Sequence, residues 1–246
     1  MKPSLLQRVL PVRASSSLRE RDLLAVTPKR PLAYLEPGSA NPMVVLASTN
    51  EDTIAMDLAS GTLVRLRIPW REGMETPFRA FDVLDVPGDN AAAPEDLAQP
   101  EAITLLAPPR QVGTLRSRRV RAMLARLQVP QSGPLLGFRG LAAPYWEFAS
   151  ESPSATLVVP SRGPQLIRRT ADGAPWIRFG WERDDVWLPL DDPSSARALH
   201  AARRDVLAGK DLATALGYRP HYLVVALSRP IDGHCYKVCR AVLPRA

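Results

Sequence analysis

The chain has 246 residues, a formal net charge of +7 and 46% hydrophobic side chains. That balance of charge and apolar content excludes a disordered chain, and two cysteines exclude a disulfide-stapled scaffold. The strongest apolar run, Tyr222 to Leu227, has the length of a strand and falls far short of the roughly 18 residues of a membrane span.

Residues 1–29 read as a basic N-terminal arm. They carry Lys2, Arg8 and Arg13 and a serine triplet at 15–17. Arg8 interrupts the apolar stretch that a secretory signal requires, so a cytoplasmic protein is expected.

Residues 30–109 form an acidic block, with four bases against twelve acids in 31–109. Short β-type runs occur at Met43–Ser48, Thr53–Asp57, Thr62–Ile68, Phe81–Val86 and Ala102–Ala107. Thr62, Val64, Leu66 and Ile68 share one face by period two, with Leu63, Arg65 and Arg67 on the other. Asn50-Glu51-Asp52 and Ser60-Gly61 supply turn chemistry, and Pro87–Pro100 is an acidic Pro/Ala-rich insertion. Five short strands predict a small β-barrel of OB or SH3 type.

Residues 110–150 read as a basic helix and a Gly/Pro linker. Six arginines and no acid lie between Arg110 and Arg126. Thr114 is a candidate cap for a helix ending before Pro130. Val120, Met123, Leu124 and Leu127 make one apolar stripe, and Arg118, Arg119, Arg121 and Arg126 lie opposite. Arg118 and Arg119 sit near the positive end of the helix dipole, where an anion would offset their mutual cost. That anion is either an internal carboxylate (Glu75, Asp82 or Asp85) or an external phosphate. Gly137-Phe138-Arg139-Gly140 has the spacing of a phosphate-clamping loop, but Pro134 and Pro144 crowd out flanking helices, so it reads as linker.

Residues 151–246 read as an α+β domain. Strands are expected at Ala155–Val159, Gln165–Thr170 and Trp176–Leu188, with a turn at Ala171-Asp172-Gly173. A helix is expected over Ser194–Ala208, capped by Asp191, Asp192 or Ser194, with Pro193 in its first turn and Gly209 as its stop. A second helix spans Asp211–Leu216 and stops at Gly217. A C-terminal hairpin pairs His221–Ser228 with His234–Leu243.

Candidate chemistry is sparse. Cys235 and Cys239 lie about 13 Å apart on a strand, too far to bond or to share a zinc ion, so both read as core thiols. Asp184-Asp185 and Asp191-Asp192 offer paired carboxylates for Mg²⁺ or acid–base work, or simply a strand end and a helix cap. No phosphate loop, nucleophile elbow or zinc-protease motif occurs. Alternation along Trp176-Ile177-Arg178-Phe179-Gly180-Trp181 puts Trp176 and Arg178 on one face, beside Arg168 or Arg169. Aromatic and arginine side chains on an open sheet make a base-stacking, phosphate-contacting platform.

Arginine outnumbers lysine 28 to 4. GC-rich coding produces that bias, and arginine also suits bidentate phosphate contact. The 25 prolines argue against long helical bundles. Together these features point to a non-enzymatic nucleic-acid-binding protein, a subunit of a larger ribonucleoprotein or protein assembly. RNA or single-stranded DNA is the expected ligand, other protein subunits are expected partners, and no membrane, cofactor or metal is. Arg116, Arg118, Arg119, Arg121 and Arg126 are the first candidate phosphate contacts, and Arg168, Arg169, Trp176 and Arg178 the second. The alternatives are a protein-interaction subunit whose charge blocks pair internally, and a nuclease or metal-dependent hydrolase.

Overall fold

The computed structural model describes residues 40–49, 52–67, 78–87, 91–92, 98–115, 117–127, 133–148 and 153–245. The basic arm at 1–29, Glu75 and Arg116 lie outside them. The chain is β-rich with few helices. It divides into two compact units: residues up to Leu127 with 151–153 and 246, and Gln128–Ser150 with Ser154–Arg245.

The first unit is built on a seven-stranded sheet. Its strands are β1 (Ala40–Ser48), β2 (Asp52–Asp57), β3 (Leu63–Arg67), β4 (Asp82–Pro87), β5 (Ala91–Ala92), β6 (Ala102–Leu105) and β7 (Arg110–Thr114), in the order β5-β6-β3-β2-β1-β4-β7. Every pairing is antiparallel except β3 with β6. Among the described residues no pairing joins β5 to β7. The expectation of five strands therefore falls short by two. The Pro/Ala-rich insertion contributes β5, and Arg110–Thr114, expected at the head of the basic segment, pairs with β4 as β7. The helix α1 (Ser117–Leu127) follows it.

The core of this unit gathers Met43, Val45, Ala55, Val64, Leu66, Leu84, Val86 and Ile103. The β2–β3 turn forms because Asp57 accepts from the Ala59 and Ser60 amides at 3.0 and 3.1 Å, and Gly61 takes a left-handed φ of +72°. The second face of β3 buries an arginine. Arg65 is 1% exposed and lies 3.1 Å from Asp52 and 3.6 Å from Glu101. Burying a guanidinium is tolerable because two carboxylates meet it. Along α1, Val120 and Leu124 are buried, Met123 and Leu127 half-buried, and Arg121 exposed.

The second unit holds two four-stranded antiparallel sheets. One contains β10 (Gln165–Arg168), β11 (Pro175–Trp181), β12 (Asp184–Pro189) and β13 (Val206–Ala208), in the order β12-β11-β10-β13. The other contains β8 (Ala142–Pro144), β9 (Ala155–Val158), β14 (Pro220–Leu227) and β15 (His234–Pro244), in the order β8-β15-β14-β9. Two helices, α2 (Pro193–Ala201) and α3 (Gly209–Leu216), complete it. One core joins both sheets and both helices through Val158, Leu166, Ile177, Leu199, Leu212 and Val225.

Asp192 starts α2. Its carboxylate accepts from the Ser194 amide at 3.0 Å, the Ser195 hydroxyl at 2.6 Å and, from β15, the Val242 amide at 3.1 Å. Two expectations are corrected here. The run Trp176–Leu188 is a hairpin that turns at Glu182-Arg183, pairing Trp181 with Asp184. The helix expected to reach Ala208 ends at Ala201, where Arg203 turns left-handed at φ +51°. Val206–Ala208 then pairs with β10, because Leu207 fills the core from a sheet edge. Gly209 opens α3 rather than closing α2. Gly217 does stop α3, at φ +75°.

Candidate nucleic-acid interface

The core side of the β12-β11-β10-β13 sheet is made by Leu166, Ile177, Phe179, Trp181, Leu188 and Leu207, all buried. Alternation sends the intervening residues to the opposite side. There the register aligns two rows across all four strands. Val206, Ile167, Trp176 and Pro189 form the first, and Ala208, Gln165, Arg178 and Trp187 the second. Val206 and Trp187 are 48% and 46% exposed. The face thus presents aromatic, aliphatic and arginine side chains together.

Each of its two tryptophans has an arginine over the ring. Arg169 lies 5.6 Å from the Trp176 ring centre, and Arg178 lies 5.3 Å from that of Trp187. Such contacts hold a guanidinium over aromatic surfaces that bases also use. Beside this pair, Gly180 lets the Ser161-Arg162 segment pass close above the sheet. A Cβ on Gly180 would fall 2.9 Å from Arg162 Cβ and 2.7 Å from Ser161 Oγ. That approach delivers Arg162 to Asp185 at 2.9 Å, while Arg178 reaches the same carboxylate at 2.6 Å. The Arg178 hydrogen bond above all, with the charges of Arg162 and Arg178, holds the Asp185 carboxyl below its ordinary pKa against the opposing effect of desolvation. A phosphate arriving at Arg178 or Arg162 must therefore compete with Asp185.

The structure brings Arg169, Trp176 and Arg178 to this one face. Arg168 is separated from them: it donates to the Leu199 carbonyl at 3.4 Å, toward α2. Of the helix arginines, Arg121 is exposed, and no ion pair among the described residues involves it. The backbones of Arg118, Arg119 and Arg126 lie in α1, but their side chains, like all of Arg116, lie outside the description. Of the internal anions proposed for them, Glu75 lies outside the described residues, and the other two have partners of their own. Asp82 accepts from the Arg79 amide and the Thr114 hydroxyl, and Asp85 lies 3.5 Å from Arg110. Sequence reasoning missed Trp187 and Arg162. Trp187 was legible once the turn is placed at Glu182-Arg183, since the hairpin register then sets it opposite Arg178.

Three of the four paired aspartates are employed within the fold. Asp185 holds Arg178 and Arg162, Asp191 pairs with Arg240, and Asp192 caps α2. Among the described residues no group of three His, Cys, Asp or Glu could hold a metal ion. Cys235 and Cys239 are both buried and unbridged, and burial pushes the Cys239 thiol well above its ordinary pKa. No described helix is long and apolar enough to cross a membrane.

No protein-family model matches the chain, and no curated protein is similar to it. Among solved structures, a crystal structure of the p204 HINb domain is matched at 9% identity and a TM-score of 0.30, over 84% of this chain and 94% of that one. Agreement at that level bears on neither fold nor function.

Proposed function

We propose that this chain is a non-enzymatic binder of single-stranded nucleic acid, acting as a subunit of a larger assembly. The observation that carries the reading is the solvent face of the β12-β11-β10-β13 sheet, with two Trp–Arg stacks in adjacent rows. Bases stack on tryptophan irrespective of sequence, and the neighbouring guanidiniums answer the phosphates. We read the first unit as an open relative of the OB barrel. The run β6-β3-β2-β1-β4 with its parallel β3–β6 pair supports that connectivity. The basic helix α1 is the second candidate surface.

The test is fluorescence anisotropy with single-stranded RNA, single-stranded DNA and duplex DNA at two salt concentrations. Trp187→Ala is expected to weaken binding by about 5- to 150-fold, the worth of one stacked base at about 1–3 kcal/mol. Asp185→Asn is expected to tighten it, because Arg178 and Arg162 lose their internal competitor. Reversal of Arg118, Arg119 and Arg121 to Glu reports on α1 by the same assay, with circular dichroism as the folding control. Unchanged affinity in both sheet variants would remove the sheet face from consideration.

One patch favours a second reading, a protein-interaction subunit. Tyr145, Trp146 and Ile231 are 45%, 67% and 55% exposed, and Trp146 lies 6.4 Å from the ring of His234, whose backbone pairs with that of Ile231. Concentration-dependent self-association in sedimentation velocity, abolished by Trp146→Ser and indifferent to oligonucleotide, would favour that reading.

A further inference from the structure

Three cations are buried among the described residues, and they are treated differently. Arg65 meets Asp52 and Glu101, and Arg240 meets Asp191. Lys237, on β15, is 3% exposed and meets no described carboxylate. Its Nζ donates to the Phe138 carbonyl at 2.5 Å and lies 3.8 Å from the centre of the Phe138 ring. An ammonium carries three donors, so one acceptor and a ring face leave it under-served. Desolvation accordingly pushes its pKa down to about 8. Roughly a tenth of the amine is then neutral at pH 7, against well under a thousandth for an ordinary lysine.

This amine stands in the wall of a cavity of about 680 Å³, a volume suited to a small molecule. Leu135, Phe138, Trp181 and Leu188 supply apolar walls, and Arg139, Glu182, Asp184 and Asp185 supply a charged rim. The loop over it is pinned at one end, where the Trp181 indole donates to the Gly133 carbonyl and the Glu182 carboxylate accepts from the Gly133 amide. At the other end the Lys237 amide donates to the Leu141 carbonyl. An arginine in this place would keep its proton at every accessible pH. In a chain with 28 arginines, the one buried cation among the described residues that meets no described carboxylate is one of the four lysines.

We propose that Lys237 is a carbonyl-capturing amine, and that the cavity it lines takes a small aldehyde or ketone with an apolar body. The neutral amine adds through its lone pair to the carbonyl carbon and gives a carbinolamine. The former carbonyl oxygen then leaves as water with both amine protons, and a C=N bond remains. Nothing is oxidised or reduced. Trp187 and Asp185 of the proposed nucleic-acid face also border this cavity, so the test is read at Lys237 itself, which that face does not use.

The test is reductive trapping on the full chain. The protein is incubated with benzaldehyde and sodium cyanoborohydride at pH 7.5, and the benzylated lysines are located by peptide mass spectrometry. Lys237 is expected to be labelled about tenfold or more faster than exposed Lys210, with a rate that levels off above pH 8. Lys237→Arg preserves the charge and is expected to abolish that fast phase. Labelling of Lys237 no faster than that of Lys210, or only after denaturation, would overturn the proposal.

Discussion

Lys237 makes a prediction about stability that runs against the usual cost of altering a core. A base whose pKa is lower in the folded than in the unfolded chain binds fewer protons when folded. Its contribution to stability therefore rises with pH between the two values. Here these are about 8 and the ordinary 10.5. At pH 7 the linkage costs the fold about 3 kcal/mol, and by pH 10 less than about 1 kcal/mol. Lys237→Met keeps the length of the side chain and removes the charge. It also strips the Phe138 carbonyl of its donor, a loss of about 1 kcal/mol. The variant is thus expected to exceed wild type by about 1–2 kcal/mol at pH 7, with the gap gone by pH 10. Urea unfolding at pH 7, 8, 9 and 10, followed by tryptophan fluorescence, measures it. Taking the difference between the two proteins matters, because Cys239 and Tyr218, both pushed up by burial, act with the opposite sign in alkali. They are common to both proteins and cancel. A gap that stays constant with pH, or a variant less stable at pH 7, would refute the idea that the ammonium is poorly compensated.

Two further substitutions test the charges that are compensated. Asp52→Ala leaves Arg65 buried with one carboxylate fewer and is expected to cost about 3–5 kcal/mol by urea unfolding of the first unit. Asp192→Ala removes three hydrogen bonds at once, from Ser194, Ser195 and Val242. It is expected to cost about 2–4 kcal/mol, more than a surface cap, with hydrogen exchange at the Val242 amide accelerated along with α2.

Much of the fold was legible in the sequence because its signals are local. Period-two alternation located β1 to β4, β6 and the β14–β15 hairpin. Asp192, Pro193 and Gly217 marked helix ends through hydrogen-bonding and backbone preferences carried by single residues. What escaped depends on partners distant in sequence. Arg65 looks solvated until Asp52 and Glu101 arrive from other elements. Val206–Ala208 looks helical by continuation, and becomes a strand because β10 offers an edge and the core a place for Leu207. The candidate site was half legible. Trp176 and Arg178 followed from alternation, which left Arg168 and Arg169 as equal neighbours, whereas Trp187 required the hairpin turn and Arg162 the close passage over Gly180. Nothing in the sequence around Lys237 announces a buried amine, since its surroundings come from a loop about a hundred positions earlier.

The single parallel pairing in the first sheet has a consequence for the order in which that sheet can assemble. Strands β1, β2 and β3 form a meander closed by short turns, so they can pair as soon as the chain collapses. Strand β6 must return from Ala102 to lie beside Arg65–Arg67, after the chain has travelled out through β4 and β5. Closing a span of some thirty residues rather than about three costs roughly 2 kcal/mol of additional chain entropy, and it places β6 late. Arg65 is then already docked on Asp52 across the β2–β3 hairpin when Glu101 arrives at the head of β6. The waiting guanidinium gives the last strand a charged register mark, so that a slip by one residue would strand Glu101 without its partner.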